Sequence, residues 1–201
     1  MTLQTPTSPG VRPVPATDAS RAAGTLARAF HDDPVSRWMM RRDSRLAPAF
    51  DFYLRRIWLP HGEVYETADG RGVACWLPPG KAHLGFIEQM RLLPGLARIL
   101  GRDLPRVMSA TGLMEKDHPD ERHWYLNLIG VEPSAQGLGG GSALLAHTLE
   151  RCDAEGLPAY LDSNTERSIP LYERHGFEVT DEVRLPRGGP PFWRMWRNGR
   201  A

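Results

Sequence analysis

The feature that most constrains this sequence is a run of glycines between an apolar segment and an amphipathic one. Residues 123–131 have the length and apolar character of a buried strand. The run Gln136-Gly137-Leu138-Gly139-Gly140-Gly141-Ser142 follows, and residues 142–156 then have helical periodicity. Glycine lets a backbone approach a ligand closely, and the free amides that begin a helix favour negative charge. The unit is therefore a candidate pyrophosphate site, although a glycine-rich helix start used only for packing fits the same residues.

The other elements predict a mixed α/β domain. Strands are expected at 10–15, at 63–68 and 72–78 around Asp69-Gly70, at 158–162, and in a closing pair at 177–185 and 191–196. Helices are expected at 18–31, 34–41, 44–58, 83–117 with breaks near Pro94, Gly101 and Pro105, and around Pro170. We therefore predict an α+β type fold: a mostly antiparallel sheet flanked by helices, with one central βαβ unit.

Composition excludes several classes of protein. The chain of 201 residues has a net charge of +1, so it lacks the field of a nucleic-acid-binding protein. No run of about eighteen apolar residues predicts a membrane span, and the N-terminus lacks the features of a secretory signal. Cys75 and Cys152 are its only cysteines, which fits two buried, reduced thiols in a cytoplasmic protein.

Other phosphate and nucleophile motifs do not fit the glycine run. A Walker A loop needs a Lys after the glycines, and none is present. A Rossmann fingerprint needs its first Gly directly after the strand, whereas five residues intervene here, and Ser142 replaces the third Gly. A serine-hydrolase elbow fails because Leu144 stands where its last Gly is needed. The seven His show no metal-ligand spacing, so we predict no metal site.

Two segments, in this order and spacing, resemble the coenzyme-binding core of the GNAT family of N-acetyltransferases. They are Val131-Glu-Pro-Ser-Ala-Gln136-Gly-Leu-Gly-Gly-Gly-Ser142 and Leu171-Tyr172-Glu-Arg-His-Gly-Phe177, and the match covers residues 123–180. A weaker similarity, to the puromycin N-acetyltransferases and their actinobacterial relatives, extends across nearly the whole chain. Its residues are Thr25–Phe30, Asp33-Pro34, Gly72–Trp76, Pro158-Ala159, Tyr172-Glu-Arg and Trp193-Arg-Met195.

Thr, Ser and Pro dominate residues 1–9, which predicts a flexible tail, and residues 10–201 are predicted to form a single acetyltransferase domain. In that domain, residues 10–122 would form the acceptor side. Residues 83–117 would be a helical insertion in this part, either a packing layer or a lid over the acceptor pocket. Residues 123–180 would form the acetyl-CoA-binding core, and residues 181–201 the closing strands. The same resemblance implies acetyl-CoA as co-substrate.

The resemblance also implies roles for individual residues. Ile129, Gly130 and Val131 would pair with the acetyl-pantetheine arm through main-chain groups, as an added strand does. The pyrophosphate would lie on Gln136, Gly137, Leu138, Gly139, Gly140, Gly141 and Ser142, although Leu138 stands where a basic residue is common. Asn164 and Ser168 would contact the coenzyme, and Ser168 stands where relatives often have Asn. Tyr172 would donate a proton to the departing thiolate, and helix amides could lower its pKa for that role.

The acceptor residues are less strongly indicated. Phe30, Asp32, Asp33 and Trp38 follow the first predicted helix, where relatives of the resembled family build the acceptor pocket. An acidic pair beside aromatic rings suits a cationic amine, but loop capping explains the same acids. Asp162, at the end of its strand, is a candidate general base for the amine, and a helix N-cap is an equal alternative.

The resemblance implies an enzyme that transfers an acetyl group directly to the amine of a small molecule, such as an antibiotic or another metabolite. Acetylation of a protein N-terminus or Lys is a second interpretation, and a non-catalytic acyl-CoA-binding sensor is a third. The predicted partner is a small-molecule amine, with no nucleic acid and no membrane, and the sequence leaves a homodimer open.

Overall fold

A computed structural model describes residues 10–82 and 85–200 of the protein. Seven strands form one sheet: β1 (Val11–Pro13), β2 (Glu63–Thr67), β3 (Gly72–Leu77), β4 (Trp124–Val131), β5 (Ala159–Ser163), β6 (Glu178–Arg184) and β7 (Pro191–Arg197). Their order is β1-β2-β3-β4-β5-β7-β6, and β4 and β5 are the parallel neighbours in an otherwise antiparallel sheet. The predicted fold class is confirmed. The predicted tail at 1–9 lies outside the described residues.

Eight α-helices flank the sheet: α1 (Ala19–Ala29), α2 (Pro34–Met39), α3 (Leu46–Tyr53), α4 (Leu59–His61), α5 (Phe86–Leu100), α6 (Leu104–Lys116), α7 (Gly140–Glu155) and α8 (Ile169–Arg174). A π-helical segment, Leu54–Trp58, joins α3 to α4. Short 3-10 segments lie at Ala16–Asp18, Asp43–Arg45, Gly101–Asp103, Pro133–Ala135 and Glu166–Ser168. The expected break near Pro94 is wrong. Helix α5 continues through this residue and buries Leu92, Leu96 and Leu100 along one face, which offsets the hydrogen bond that proline cannot donate.

The centre of the sheet is buried on both faces, and the alternating side chains of β3 pack against different helices on each face. On β3, Val73, Cys75 and Leu77 belong to the hydrophobic cluster that includes residues of α1, α3 and α5. Ala74 and Trp76 belong to a second cluster, which includes residues of α7. The central strands therefore form a middle layer between two groups of helices.

Strand β4 separates from β5 halfway along its length. Cys75 of β3 pairs with Leu128, while Trp76 pairs with Leu126, so Asn127 is an extra residue that forms a bulge. Beside β5, only Trp124, Tyr125 and Leu126 are paired. The main chain of β4 from Asn127 to Val131 thus has no ladder partner on the β5 side among the described residues. The two strands leave an opening between them, and this opening positions the candidate site.

No helix within residues 10–82 and 85–200 is long and apolar enough to cross a bilayer. The cytoplasmic location of the protein stays a prediction.

Candidate active site

A cavity of about 370 Å³ adjoins the opening between β4 and β5. Residues 125–129 of β4 and 161–162 of β5 line it on the sheet side, and side chains of α2, α3, α5 and α6 form its other walls. A volume of this order is typical of a small-molecule site. The helices of the predicted insertion therefore cover a cavity beside the sheet.

Asp162, the last but one residue of β5, places a carboxylate on the sheet side of this cavity. The Tyr160 hydroxyl donates a hydrogen bond to it at 2.7 Å, and the Tyr125 hydroxyl donates a second at 3.4 Å. Burial raises the pKa of Asp162 to about 6, against the opposing effects of these hydroxyls and of the Arg194 charge. The group is ionised near neutral pH but accepts a proton more readily than an exposed aspartate does.

Asp33 and Phe30 also line the cavity. The Asp33 carboxylate caps α2, because it accepts a hydrogen bond from the Ser36 amide at 2.7 Å. It also accepts one from the Asn164 side chain at 3.2 Å, so the segment predicted to form the acceptor side contacts a residue predicted to bind the coenzyme. Burial raises the pKa of Asp33 as well. The loop-capping role and the cavity position therefore coexist in one side chain.

Asp32 and Trp38 lie outside the cavity. The Asp32 side chain is 81% exposed and lies 3.6 Å from Arg37. Trp38 packs in a separate cluster with Val35, Ala110 and Leu185, and Arg106 lies 5.3 Å from its ring centroid. Val35, Ser36 and Met39 are the residues of α2 that line the cavity, whereas Asp32 precedes this helix and Trp38 is not among its cavity-lining residues. The structure thus brings Phe30 and Asp33 to the predicted acceptor site and leaves Asp32 and Trp38 out of it.

Tyr172, in the short helix α8, is buried and lines the cavity. Its ring packs against Phe177, with centroids 6.2 Å apart. Its hydroxyl has no hydrogen-bond partner in the described part of the chain. Burial, and then the negative charge of Asp33, raise its pKa above the ordinary value of a phenol. The expected lowering by helix amides is wrong, because α8 is only six residues long and the site is poorly solvated. Tyr172 is therefore a neutral hydrogen-bond donor.

The glycine run forms the start of α7. Gly139 has φ +85°, a left-handed conformation in which a side chain is strained, and α7 begins at the next residue. The first hydrogen bond of this turn runs from the Ala143 amide to the Gly139 carbonyl, at 2.9 Å. The amides of Gly140, Gly141 and Ser142 accordingly have no helical acceptor, which is the arrangement that binds anions.

Side chains of this run have specific contacts. The Gln136 amide donates to the Val131 carbonyl at 3.1 Å and accepts from Arg167, which follows β5. The Ser142 hydroxyl lies 2.6 Å from Nε2 of His175, at the end of α8. Leu138 is 64% exposed. These contacts connect the glycine run to α8, the helix that carries Tyr172.

The remaining predicted coenzyme residues lie along the opening between β4 and β5. Ile129 and Val131 belong to the part of β4 that pairs with β3 but has no ladder partner on the β5 side, and Ile129 lines the cavity. Gly130 lies against α1, where a Cβ atom would come within 2.8 Å of Ala29 and of the Phe30 ring. Its glycine is thus explained by helix packing rather than by a ligand. Ser168 lines the cavity, and its hydroxyl lies 2.8 Å from that of Thr165.

Comparison with known proteins agrees with this geometry. A family model described as the acetyltransferase (GNAT) family matches residues 63–177, more than half of the chain. The chain belongs to the GNAT acetyltransferase family. The match runs from β2 to Phe177, directly before β6, and it therefore includes the opening, the glycine run and Tyr172.

Three individual proteins are similar to this GNAT chain. A Schizosaccharomyces pombe protein named as an uncharacterized N-acetyltransferase is 29% identical over 189 residues, which cover 87% of this chain and 76% of that one. The mycothiol acetyltransferase of Streptomyces griseus is 41% identical over 73 residues, covering 35% of this chain and about a quarter of its own length (24%). A Corynebacterium glutamicum crystal structure, described as a histone acetyltransferase and related acetyltransferase, has a TM-score of 0.76 and 28% identity over 97% of this chain and 98% of its own.

Several residues of this GNAT site were missed by the sequence analysis. Glu115 of α6 and Asn127 of β4 line the cavity, Tyr125 donates to Asp162, and Arg167 lies beside the glycine run. Asn127 offered a signal, because it is a polar residue in an apolar strand, and its carbonyl oxygen accepts a hydrogen bond from the Trp58 indole at 2.7 Å. Arg167 gave none, since surface arginines are common.

No group of three or more His, Cys, Asp or Glu side chains within the described ranges could hold a metal ion.

Proposed function

We propose that this GNAT protein is an acetyl-CoA-dependent N-acetyltransferase that acetylates the amine of a small molecule. The observation that supports this most is the charge of the cavity. Its described lining contains three carboxylates, Asp33, Glu115 and Asp162, and no Lys, Arg or His. A cavity with this lining attracts an ammonium group and repels anions.

Acetyl-CoA fits the other side of the opening. The main chain of β4 from Asn127 onward has no ladder partner on the β5 side, so it can pair with the amide groups of a pantetheine arm as an added strand would. The Val131 carbonyl already accepts a hydrogen bond from the Gln136 side chain. The free amides of Gly140 to Ser142 suit the pyrophosphate. Arg167, which donates to Gln136, supplies a cation near these amides, where Leu138 supplies none. Asn164 and Ser168 lie between the two sides.

The chain's own residues suggest the proton transfers. An amine must lose a proton before or during attack, and Asp162 is an ionised group with a raised pKa inside the cavity. Tyr172 lies on the coenzyme side of the cavity with an uncommitted hydroxyl, so it can donate a hydrogen bond to the departing sulfur and then its proton. Acetyl-CoA, when bound, supplies the thioester that these groups act on.

Direct transfer within a ternary complex is the mechanism that we propose. A covalent acetyl-cysteine intermediate would need an accessible thiolate beside the coenzyme. Cys75 and Cys152 are buried, neither lines the cavity, and burial raises the pKa of both thiols. Holding both reactants in one cavity supplies much of the acceleration instead.

Helices α5 and α6 favour a small molecule over a protein. They cover the cavity from the side opposite the sheet, so an acceptor must enter between them and the strands. A Lys on a folded protein surface would have to pass the same walls. The Corynebacterium relative's description keeps a protein acceptor as the competing function, and the test below includes it.

The test is to incubate the protein with acetyl-CoA and separate panels of small amines and of peptides with free N-termini or Lys side chains. Thiol release and product mass are followed. We expect acetylated small amines, and an Asp162→Asn variant should lose most of this activity. Turnover restricted to peptides would overturn the small-molecule assignment, and coenzyme binding without any turnover would identify a sensor.

A further inference from the structure

The cavity has two chemically different ends. Near the strands lie Asp162, Asn127 and the Tyr172 hydroxyl, which are polar groups beside the proposed reaction site. Most of the lining away from the strands is apolar, and five methionines contribute to it: Met39, Met40, Met90, Met108 and Met114. Gln89, Thr111 and Glu115 are the polar lining residues of α5 and α6. A ligand that fills this space must therefore be polar at one end and apolar at the other.

The methionines indicate how selective the apolar end is. A Met side chain is unbranched and polarisable, so it adapts to ligands of different shape rather than fixing one. The leucines of α5 continue the same wall without adding a hydrogen-bonding group. Selection along the methionines and leucines thus depends on apolar bulk, because a hydroxyl or charge that lies against these side chains loses water without gaining a partner.

Two of these methionines are substantially exposed to solvent in the protein without ligand. Met90 is 44% exposed and Met108 is 43% exposed, on the two helices that cover the cavity. Both line the cavity, unlike the neighbouring Ile87, which is 68% exposed on the outside of α5. When an apolar group of a ligand covers exposed apolar side chains at the mouth of a cavity, the burial of both surfaces stabilises the complex.

We infer that the acceptor is an amphiphilic cation, namely a primary amine attached to a bulky apolar group. Its ammonium lies against Asp162 and its apolar part lies along the methionines. Asp33 and Glu115 disfavour an acceptor that also carries a carboxylate. Amino acids are consequently poor substrates, and so are amino sugars, which lack an apolar part to cover the methionines. This inference rests on the proposed N-acetyltransferase function and specifies its substrate class.

The test uses primary n-alkylamines from propylamine to octylamine, whose ammonium groups have nearly equal basicity, with glucosamine and aminohexanoate as polar comparisons. We expect kcat/KM to rise about two- to fourfold per added methylene until the cavity is filled. Hexylamine should exceed aminohexanoate, which has the same chain length and a carboxylate, by at least about tenfold.

Variants locate the effect. A Met90→Gln, Met108→Gln double variant keeps the side-chain lengths and should flatten the dependence on chain length. Ile87→Gln makes the same apolar-to-amide change on α5 outside the cavity and should leave the dependence as in the wild type. Thermal melting of each variant verifies folding, and the open positions of Met90 and Met108 make both substitutions tolerable.

The outcomes separate this inference from the proposed function. Equal kcat/KM along the series, or a preference for glucosamine or aminohexanoate, would overturn the amphiphilic acceptor and leave the acetyltransferase standing. If no amine is acetylated, the proposed function fails. In that case, calorimetry of the same alkylamines without coenzyme tests whether the cavity binds amphiphilic cations. An affinity that is independent of chain length would overturn the amphiphilic ligand.

Discussion

The proposed coenzyme side and the proposed acceptor side of this cavity are built in different ways. The proposed coenzyme side uses main-chain groups of consecutive residues: the part of β4 with no partner on the β5 side and the amides that begin α7. The proposed acceptor side uses side chains from helices and strands that are far apart in the chain. Binding through main-chain groups requires glycine at particular positions of the backbone. Binding through side chains can be altered by a substitution at one position without affecting the others. The two sides should therefore respond differently to substitution.

The largest effect should come from Asp162→Asn on the acceptor side. Removing the base should lower kcat by about 10²–10⁴-fold and leave the acetyl-CoA Kd unchanged. Because Asp162 has a pKa of about 6 and acts as the ionised form, kcat/KM of the wild type should fall as the pH drops through 6. Initial rates between pH 5 and 9, at about unit intervals, measure both effects.

Thermal melting provides the control for Asp162→Asn. The raised pKa means that the protonated carboxyl favours the folded state below the unfolded pKa of 3.8, and that this stability is lost as pH rises through about 6. Asn removes the buried charge and keeps an acceptor for the tyrosine hydroxyls, so Tm at pH 8 should not fall. If kcat/KM of the wild type does not change with pH down to pH 5, a residue other than Asp162 is the general base.

Gly139→Asp tests the coenzyme side. An added carboxylate at the start of α7 should repel the pyrophosphate and raise the acetyl-CoA Kd more than tenfold, or about 1.4 kcal/mol, by calorimetry. Gly139→Asn is the matched control, since Asn has the same size and tolerates positive φ but carries no charge. Equal affinities of the two variants would attribute the loss to backbone strain rather than to phosphate binding.

Tyr172→Phe tests the residue between the proposed coenzyme side and the proposed acceptor side. Removing the hydroxyl should lower kcat at least about tenfold, while acetyl-CoA affinity changes little because the ring contacts remain. Tm should stay near that of the wild type, since the hydroxyl has no hydrogen-bond partner among the described residues. A weaker acetyl-CoA Kd with unchanged kcat would instead mean that the hydroxyl only binds the ground state.

The smallest effect should come from Arg167→Gln. This arginine is exposed at the rim of the glycine run, and an exposed charge contact contributes about 0.2–1 kcal/mol, so the acetyl-CoA Kd should rise about two- to fivefold. The rise should shrink in high salt. Arg184→Gln on β6 is an equivalent change far from the run and should leave the Kd unaltered. If the two variants have the same acetyl-CoA Kd, Arg167 does not contribute to coenzyme binding.

The sequence by itself determined the mixed α/β fold, the order of its elements and the family. Strand and helix periods are local, and the glycine spacing of Gln136 to Ser142 reflects main-chain geometry that few other residues can adopt. The same reasoning placed Tyr172 on a short helix after β5. These properties could be predicted because each depends on neighbours within one segment.

Only the tertiary structure decided which side chains share the cavity. Asp32 and Asp33 are adjacent in sequence, yet one faces solvent and the other lies against Asn164, because the start of α2 turns one side chain inward as its cap. Glu115 reaches the cavity only because α6 folds back over the sheet. The raised pKa values of Asp162 and Tyr172 likewise arise from burial by distant elements, which no local pattern of residues encodes.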